Sequence, residues 1–171
     1  MSIADRLRTA DLPAPDDCDI IGSGWTYQYS QREHLYAFGH GLSYTTFEYG
    51  DLVLTVREDQ PGAVTVTAEV QVTNVGPIAG QEVAQLYSHA LHASVPTPLR
   101  RLQGFERIEL APGESRTVAF EVPADRLAYW SQEIGGFRVE PGEYEFAVGR
   151  SSSSLPSSIS VKLPGSTVSR R

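Results

Sequence analysis

One cysteine, Cys18, stands in a chain of 171 residues, so no internal disulfide can form, and without other thiols at ligand spacing there is no structural zinc framework. Lysine is nearly as scarce: Lys162 stands alone beside 13 arginines, a bias to which no function attaches. Cations of either kind are outnumbered, 14 against 21 acidic side chains, and a net charge of -7 repels phosphate backbones, which argues against a nucleic-acid partner. No uninterrupted apolar run approaches the roughly 18 residues of a membrane span, and no membrane partner is expected. The N-terminal string MSIADRLRTADLPAP lacks the apolar stretch of an export leader, which leaves a cytoplasmic location as the default expectation. No cofactor-binding signature is present. Gly39, His40 and Gly41 in FGHGL look like a phosphate cradle, but no G-x-G-x-x-G or G-K-[ST] follows, and they read as turn residues.

What is present from residue 51 onward is period two. Leu52, Leu54 and Val56 alternate with polar or small residues, and Val64, Val66, Ala68, Val70 and Val72 do so without a break. Each set therefore lies on one face of a half-buried strand of antiparallel type. Turn residues punctuate the pattern at Asp59-Gln60-Pro61-Gly62, Asn74-Val75-Gly76-Pro77, Ala111-Pro112-Gly113, Gly135-Gly136 and Glu140-Pro141-Gly142. Between them the pattern predicts strands over Gln81 to His89, Leu99 to Leu110, Ser115 to Val122 and Glu143 to Gly149, with a short one around Tyr129. The sum is an all-β, immunoglobulin-like antiparallel sandwich of about seven strands. Ser88 to Pro98 reads as a loop, Pro123 to Ala128 as one helical turn, Ser151 to Ser154 as a polar hinge, and Ile159 to Leu163 as a final edge strand.

Residues 25 to 47 are the most aromatic part of the chain, with Trp25, Tyr27, Tyr29, Tyr36, Phe38, Tyr44 and Phe47. An arm of this composition needs a surface, either the sandwich itself or something outside the chain. Among candidate functional residues, His89 and His92 sit at i and i+3 but lack further ligands, and read as exposed loop histidines. Asp16, Asp17 and Asp19 offer hard oxygens for calcium, yet no EF-hand glycine or bidentate glutamate follows, and they read as a solvated acidic turn. Tyr129, Trp130 and Phe137 could build an aromatic platform for a sugar ring. Strand alternation lets at most one of Tyr129 and Trp130 point outward, so core or interdomain packing is the plainer expectation. Tyr144, shortly after Pro141-Gly142, predicts a tyrosine corner whose hydroxyl bonds to upstream backbone.

At YAFGHGLSYTTF (Tyr36 to Phe47) the chain resembles the segment Y-P-F-G-[YH]-G-L-S-Y-T-x-F that enters the C-terminal fibronectin type III-like domain of glycoside hydrolase family 3 enzymes, the β-glucosidases and β-xylosidases. The resemblance continues in order through VTNVGPIAGQEVAQLYSH, PLRRLQGFERIELAPGES and VEPGEYEFAVGRSS. Upstream, ADLPAPDDCDIIGSGWTYQY is similar to the stretch that closes the preceding α/β sandwich domain in one branch of that family. Cys18, Trp25, His34 and Ala37 depart from its usual residues.

The resemblance implies three parts: residues 1–47 as a linker arm, 48–163 as the fibronectin type III-like domain, and 164–171 as a disordered tail. It also implies that the catalytic carboxylates, which must stand about 5 to 5.5 Å apart for retaining hydrolysis, lie in upstream domains this chain does not contain. The expected role is therefore a non-catalytic module that stabilises the catalytic domains of a β-glycosidase, in cis or in trans. Trp25, Tyr129 and Trp130 are the candidates for interdomain or polysaccharide contact. A subunit of a split enzyme, suggested by the initial Met ahead of a domain remnant, and a stand-alone carbohydrate-binding module are the alternatives.

Overall fold

The computed structural model describes residues 26–32, 34–60 and 62–168. Two antiparallel sheets face one another. The first contains β1 (Phe47–Tyr49), β2 (Val53–Gln60), β3 (Ala63–Asn74) and β6 (Ser115–Pro123), with β3 central. β1 and β2 line one side of β3, Phe47 opposite Asn74 and Val53 opposite Glu69, and β6 lines the other, with Val66 opposite Val122. The second sheet runs β10 (Ser157–Leu163), β9 (Gly142–Gly149), β4 (Gly80–Ala90), β5 (Arg101–Leu110).

The alternating valines explain the layering. Val64, Val66, Ala68, Val70 and Val72 of β3 and Val118, Phe120 and Val122 of β6 are buried against Ala84, Leu86, Ile108, Leu110, Phe146 and Val148 of the opposite sheet. Burial of each such side chain contributes roughly 1.5 to 3 kcal/mol, so the core is the main source of stability. The intervening threonines of β3 belong to the outer face, as period two requires.

Six of these strands (β2, β3, β4, β5, β6 and β9) and the edge strand β10 lie where the sequence predicts them, and β1 adds a short one that pairs on the same side of β3 as β2. The short strand expected around Tyr129, β7 (Tyr129–Ser131), joins two further short strands, β8 (Gly136–Val139) and β11 (Ser166–Val168), in a small third sheet in the order β11-β8-β7. The stretch expected to fray after Pro164 thus carries a strand, because Val168 pairs with Phe137 and Ser166 with Val139. The PADRLA segment forms a single 3-10 turn over Ala124–Leu127, close to expectation. In place of a hinge at Ser151 to Ser154 there is a closed turn: Ser151 bridges Ser154, whose amide donates to the Ser151 hydroxyl at 3.1 Å.

A bulge between Leu86 and Tyr87 interrupts the β4–β5 register. It turns Gln103 inward, where its amide donates to the Ser88 hydroxyl at 2.7 Å. Tyr144 makes the expected corner, its hydroxyl donating to the Glu140 carbonyl at 2.8 Å.

Two polar links close the upper end of the sandwich. Asn74 is fully buried and every polar atom of its side chain is engaged: Nδ2 donates to the carbonyls of Ile78 (2.8 Å) and Leu110 (3.0 Å), and Oδ1 accepts from the Thr45 hydroxyl (2.7 Å) and the Gly76 amide (3.0 Å). One side chain thereby ties β3, the β3–β4 turn, the end of β5 and the arm. Across the sheets, the Tyr49 hydroxyl donates to the Glu82 carboxylate at 2.8 Å. Burial, followed by the adjacent Glu82 charge, pushes the Tyr49 hydroxyl well above the ordinary tyrosine range. Burial likewise raises Glu82, opposed by the Tyr49 bond and by Arg150.

These links make two predictions. Asn74→Ala leaves buried carbonyl and hydroxyl partners unsatisfied, and a loss of about 3 kcal/mol or more is expected in denaturant unfolding. A loss under about 1 kcal/mol would show that the link is dispensable. For Glu82, a carboxyl raised in the folded state favours folding while protonated and loses that contribution as pH rises through its folded value. Glu82→Gln stays neutral and can still accept from Tyr49. Its unfolding temperature relative to the parent should therefore rise from about pH 4 to about pH 7, and a pH-independent difference would contradict the assignment.

Candidate functional site

The arm from Thr26 to Thr46 has no strand of its own, so its backbone polar groups must find partners on the sandwich or in tight turns. They do so at three places. Near its start, the amides of Tyr29 and Ser30 donate to the Thr26 carbonyl, and the Gln28 carbonyl accepts from the Leu99 amide at 2.6 Å. In its middle, the Phe38 carbonyl accepts from the Ser152 amide at 2.9 Å, and the Gly39 carbonyl accepts from the Gln85 side chain at 3.1 Å. At its end, Thr45 bonds Asn74 and the Thr46 carbonyl accepts from the Val75 amide at 2.9 Å.

Gln85 is the anchor of the middle contact. It lies on the outer face of β4, yet the arm covers it so well that it is 5% exposed. Its Nε2 donates to the carbonyls of Gly39 and Arg150 (2.7 Å), and its Oε1 accepts from the Tyr87 hydroxyl at 2.6 Å. Burial, and then the nearby Tyr27, raises the Tyr87 hydroxyl above its ordinary range, so it stays protonated as the donor. Gly39 has a φ of 78°, and a Cβ there would collide with the Gln85 side chain, so the close approach requires glycine. Tyr27 and Phe38 stack beside it with ring centroids 3.9 Å apart.

Between these anchors the arm bows outward and its apolar side chains face solvent. Leu35 is 91%, Leu42 94% and Tyr44 97% exposed, and Tyr36 stands out beside a tilted contact with His40. Under the bow runs a groove of about 520 Å³ lined by Phe38, Leu42, Phe47, Val83, Leu102 and Phe105, with Glu82 and Arg150 as its charged groups. Phe105, on the outer face of β5, is also exposed. The arrangement is an apolar surface on a bonded scaffold, suited to contact with another protein surface. Among the described residues, no group of three or more His, Cys, Asp or Glu is placed to hold a metal.

Of the three sequence candidates, Tyr129 and Trp130 do not line this surface. Trp25 lies outside the described residues, as do Cys18, Asp16, Asp17 and Asp19. Tyr129 and Trp130 sit on β7, away from the arm's bow. Alternation sends Tyr129 inward to half-burial and leaves Trp130 56% exposed, its ring edge-on to Phe137 at 5.2 Å. The expectation for the histidines needs correction at one position: His89 is not in the loop but lies in the last turn-ward residues of β4, half-buried, with Nδ1 3.0 Å from the Pro98 carbonyl. His92 is exposed. Sequence reasoning missed Gln85, Leu42, Tyr44 and Phe105. A glutamine between Ala84 and Leu86, inside the short apolar stretch from Val83 to Tyr87, was the available signal.

Residues 82–152 match the fibronectin type III-like domain family. The thermostable beta-glucosidase B of Acetivibrio thermocellus is 40% identical over 139 residues, which cover 81% of this chain and 18% of that protein. The beta-xylosidase of Formosa agariphila is 44% identical over 138 residues, 78% of this chain and 18% of that protein. Among solved structures, the β-glucosidase of Kluyveromyces marxianus in complex with glucose superposes with a TM-score of 0.75 at 36% identity, covering 82% of this chain and 17% of that one. This chain therefore spans less than a fifth of the length of each of these relatives. The ordered motifs, the two-sheet sandwich and these similarities lead to one assignment: the chain carries a fibronectin type III-like domain of the kind found in the β-glucosidases and β-xylosidases of glycoside hydrolase family 3.

Proposed function

We propose that this chain acts as the non-catalytic fibronectin type III-like part of a family 3 β-glycosidase and stabilises the catalytic domains by burying the bow of its arm against them. The observation that carries this reading is the exposure of Leu35, Leu42 and Tyr44 on an arm whose backbone is otherwise bonded to the sandwich. Folding leaves that much apolar surface in water only at a cost, and contact with a second surface offsets it. The chain spans less than a fifth of such relatives, which supports the reading that the surface is met by the remaining four-fifths of such a protein. The contact can be made within one polypeptide or between two. A second reading, contact with polysaccharide, is favoured by Trp130, whose exposed ring held edge-on by Phe137 offers a face to a sugar.

Three outcomes are expected. The purified chain should not hydrolyse aryl β-glucosides or β-xylosides above a buffer blank, and turnover above it would refute the non-catalytic role. A chimera in which residues 26–168 replace the matching segment of the Acetivibrio thermocellus enzyme should be active, and adding Leu42→Ser and Tyr44→Ser should lower its inactivation temperature. The same changes should alter the stability of the isolated chain by less than about 0.5 kcal/mol, since both side chains are solvent-exposed there. Equal inactivation temperatures of the two chimeras would remove the arm from the contact. For the polysaccharide reading, Trp130→Ala should abolish any fluorescence response to xylan, cellulose or β-glucan, and a flat response of the parent chain to all three would eliminate it.

A further inference from the structure

At the other end of the sandwich, away from the apolar bow, lies a second cavity of about 290 Å³. It opens between the end of β4, the start of β5, the loop through Pro98, the 3-10 turn and the first turn of the arm. Its lining is mainly polar: Gln28, Tyr29, Ser88, Thr97, Arg101 and Tyr129 contribute, and Arg101 is its one charged group.

Arg101 is under-committed for a half-buried cation. A guanidinium carries five N–H donors in a planar fork. Among the described residues its side chain makes a single hydrogen bond, from Nη1 to the Ala128 carbonyl at a long 3.3 Å. Among the described residues, no carboxylate forms an ion pair with it; the pairs present are Arg100 with Glu145, Arg116 with Glu114 and Arg138 with Glu133. The charge that acts on it is instead that of another cation, Arg126. Burial first, and Arg126 after the opposing Tyr29, hold its acidity above the ordinary arginine value. A charge that is partly desolvated, near a like charge and without an anionic partner among the described residues, is in an unfavourable position that an incoming anion would relieve.

The surrounding groups narrow the class of anion. Ser88 is 5% exposed and its hydroxyl accepts from Gln103, which leaves its own proton for a further acceptor. The Tyr129 hydroxyl lies 3.4 Å from that of Ser94, a weak contact. One arginine fork matches one carboxylate in bidentate geometry, whereas a dianion would need more cations than the cavity presents. The hydroxyls of Ser88, Thr97, Tyr29 and Tyr129 and the Gln28 amide suit a ligand that carries hydroxyls as well. The volume lies at the lower end of small-molecule sites.

We infer that the cavity beside Arg101 is a binding site for a small hydroxylated monocarboxylate, of the uronic-acid or hydroxy-acid class, with Arg101 holding the carboxylate and the hydroxyl rim holding the rest. The site is built from residues of this chain and can be tested on the whole chain by itself. Sodium glucuronate and glucose are titrated separately, at constant ionic strength, while backbone amide resonances are followed by NMR. Glucuronate should produce saturable shifts at Tyr29, Ser88, Arg101 and Tyr129, and glucose, which has the ring hydroxyls without the carboxylate, should produce none there. Arg101→Gln should weaken glucuronate binding at least tenfold, and Arg101→Lys should weaken it less, with the dispersion of the remaining resonances showing that both variants are folded. Absence of saturable shifts with glucuronate, equal shifts with glucose, or unchanged binding by Arg101→Gln would each overturn the inference.

Discussion

The burial of the Gln85 side-chain amide on the outer face of β4 is the constraint on which the functional surface depends. A primary amide can be buried only if its donors and acceptor are met, and here they are met by groups from three places: the arm at Gly39, the end of β9 at Arg150, and Tyr87 on its own strand. If the arm were to leave, Gln85 would lose one acceptor and the Tyr87 hydroxyl beside it would lose its cover. The arm is therefore part of the domain rather than a tether, although it contributes no strand. The Phe38–Ser152 and Gln28–Leu99 bonds extend the same attachment to either side.

Fixing the arm at these points decides which of its aromatics are satisfied. Tyr27 and Phe38 stack on one another against the sheet, whereas Tyr36, Leu42 and Tyr44 lie where the chain bows away between anchors. The same contacts that order the backbone thus leave the apolar side chains presented in a defined place. Because the entropy of ordering the arm has already been offset by its bonds to the sandwich, contact with a second surface would lose less entropy than it would from a loose linker. Asn74 secures the far end of the bow through Thr45, and Tyr49 with Glu82 holds the two sheets together beneath the groove.

Much of the sandwich is legible in the sequence because its strands repeat a period-two pattern over long spans. Val64 through Val72 has no other reading, and the Pro-Gly turns mark where such spans end. The strands that sequence alone does not reveal are those too short to show a period: Phe47–Tyr49, separated from β2 at Gly50, Gly136–Val139, which holds only four residues, and Ser166–Val168, which pairs with it. The Ser151 turn resembles a hinge in the sequence because four serines carry no apolar pattern, while its order comes from the local Ser151–Ser154 bonds and from the Phe38 carbonyl more than a hundred residues upstream. His89 resembles a loop residue because no local signal marks where a strand stops and its connecting loop begins.

The candidate surface is legible only in outline. An aromatic arm in search of a surface can be inferred from composition, and alternation settles the opposite orientations of Tyr129 and Trp130. Which arm residues are left exposed cannot be inferred, because that depends on where backbone carbonyls find donors, and a carbonyl has no signature in sequence. Arg101 is a similar case. Two adjacent arginines look alike in the string PLRRL, and only the fold separates Arg100, paired with Glu145, from Arg101, which faces a polar cavity.

The central claim, that the arm is an integral layer of the domain, is tested most directly by amide hydrogen exchange of the isolated chain at Leu99 and Ser152, whose N–H groups donate to the arm carbonyls of Gln28 and Phe38. The account predicts that both are protected well above the level of exposed loops, and that Gln85→Ala reduces that protection at Ser152 while the amides shared between β3 and β6 keep theirs. Exchange of both amides at the rate of an unstructured peptide in the parent chain would contradict it.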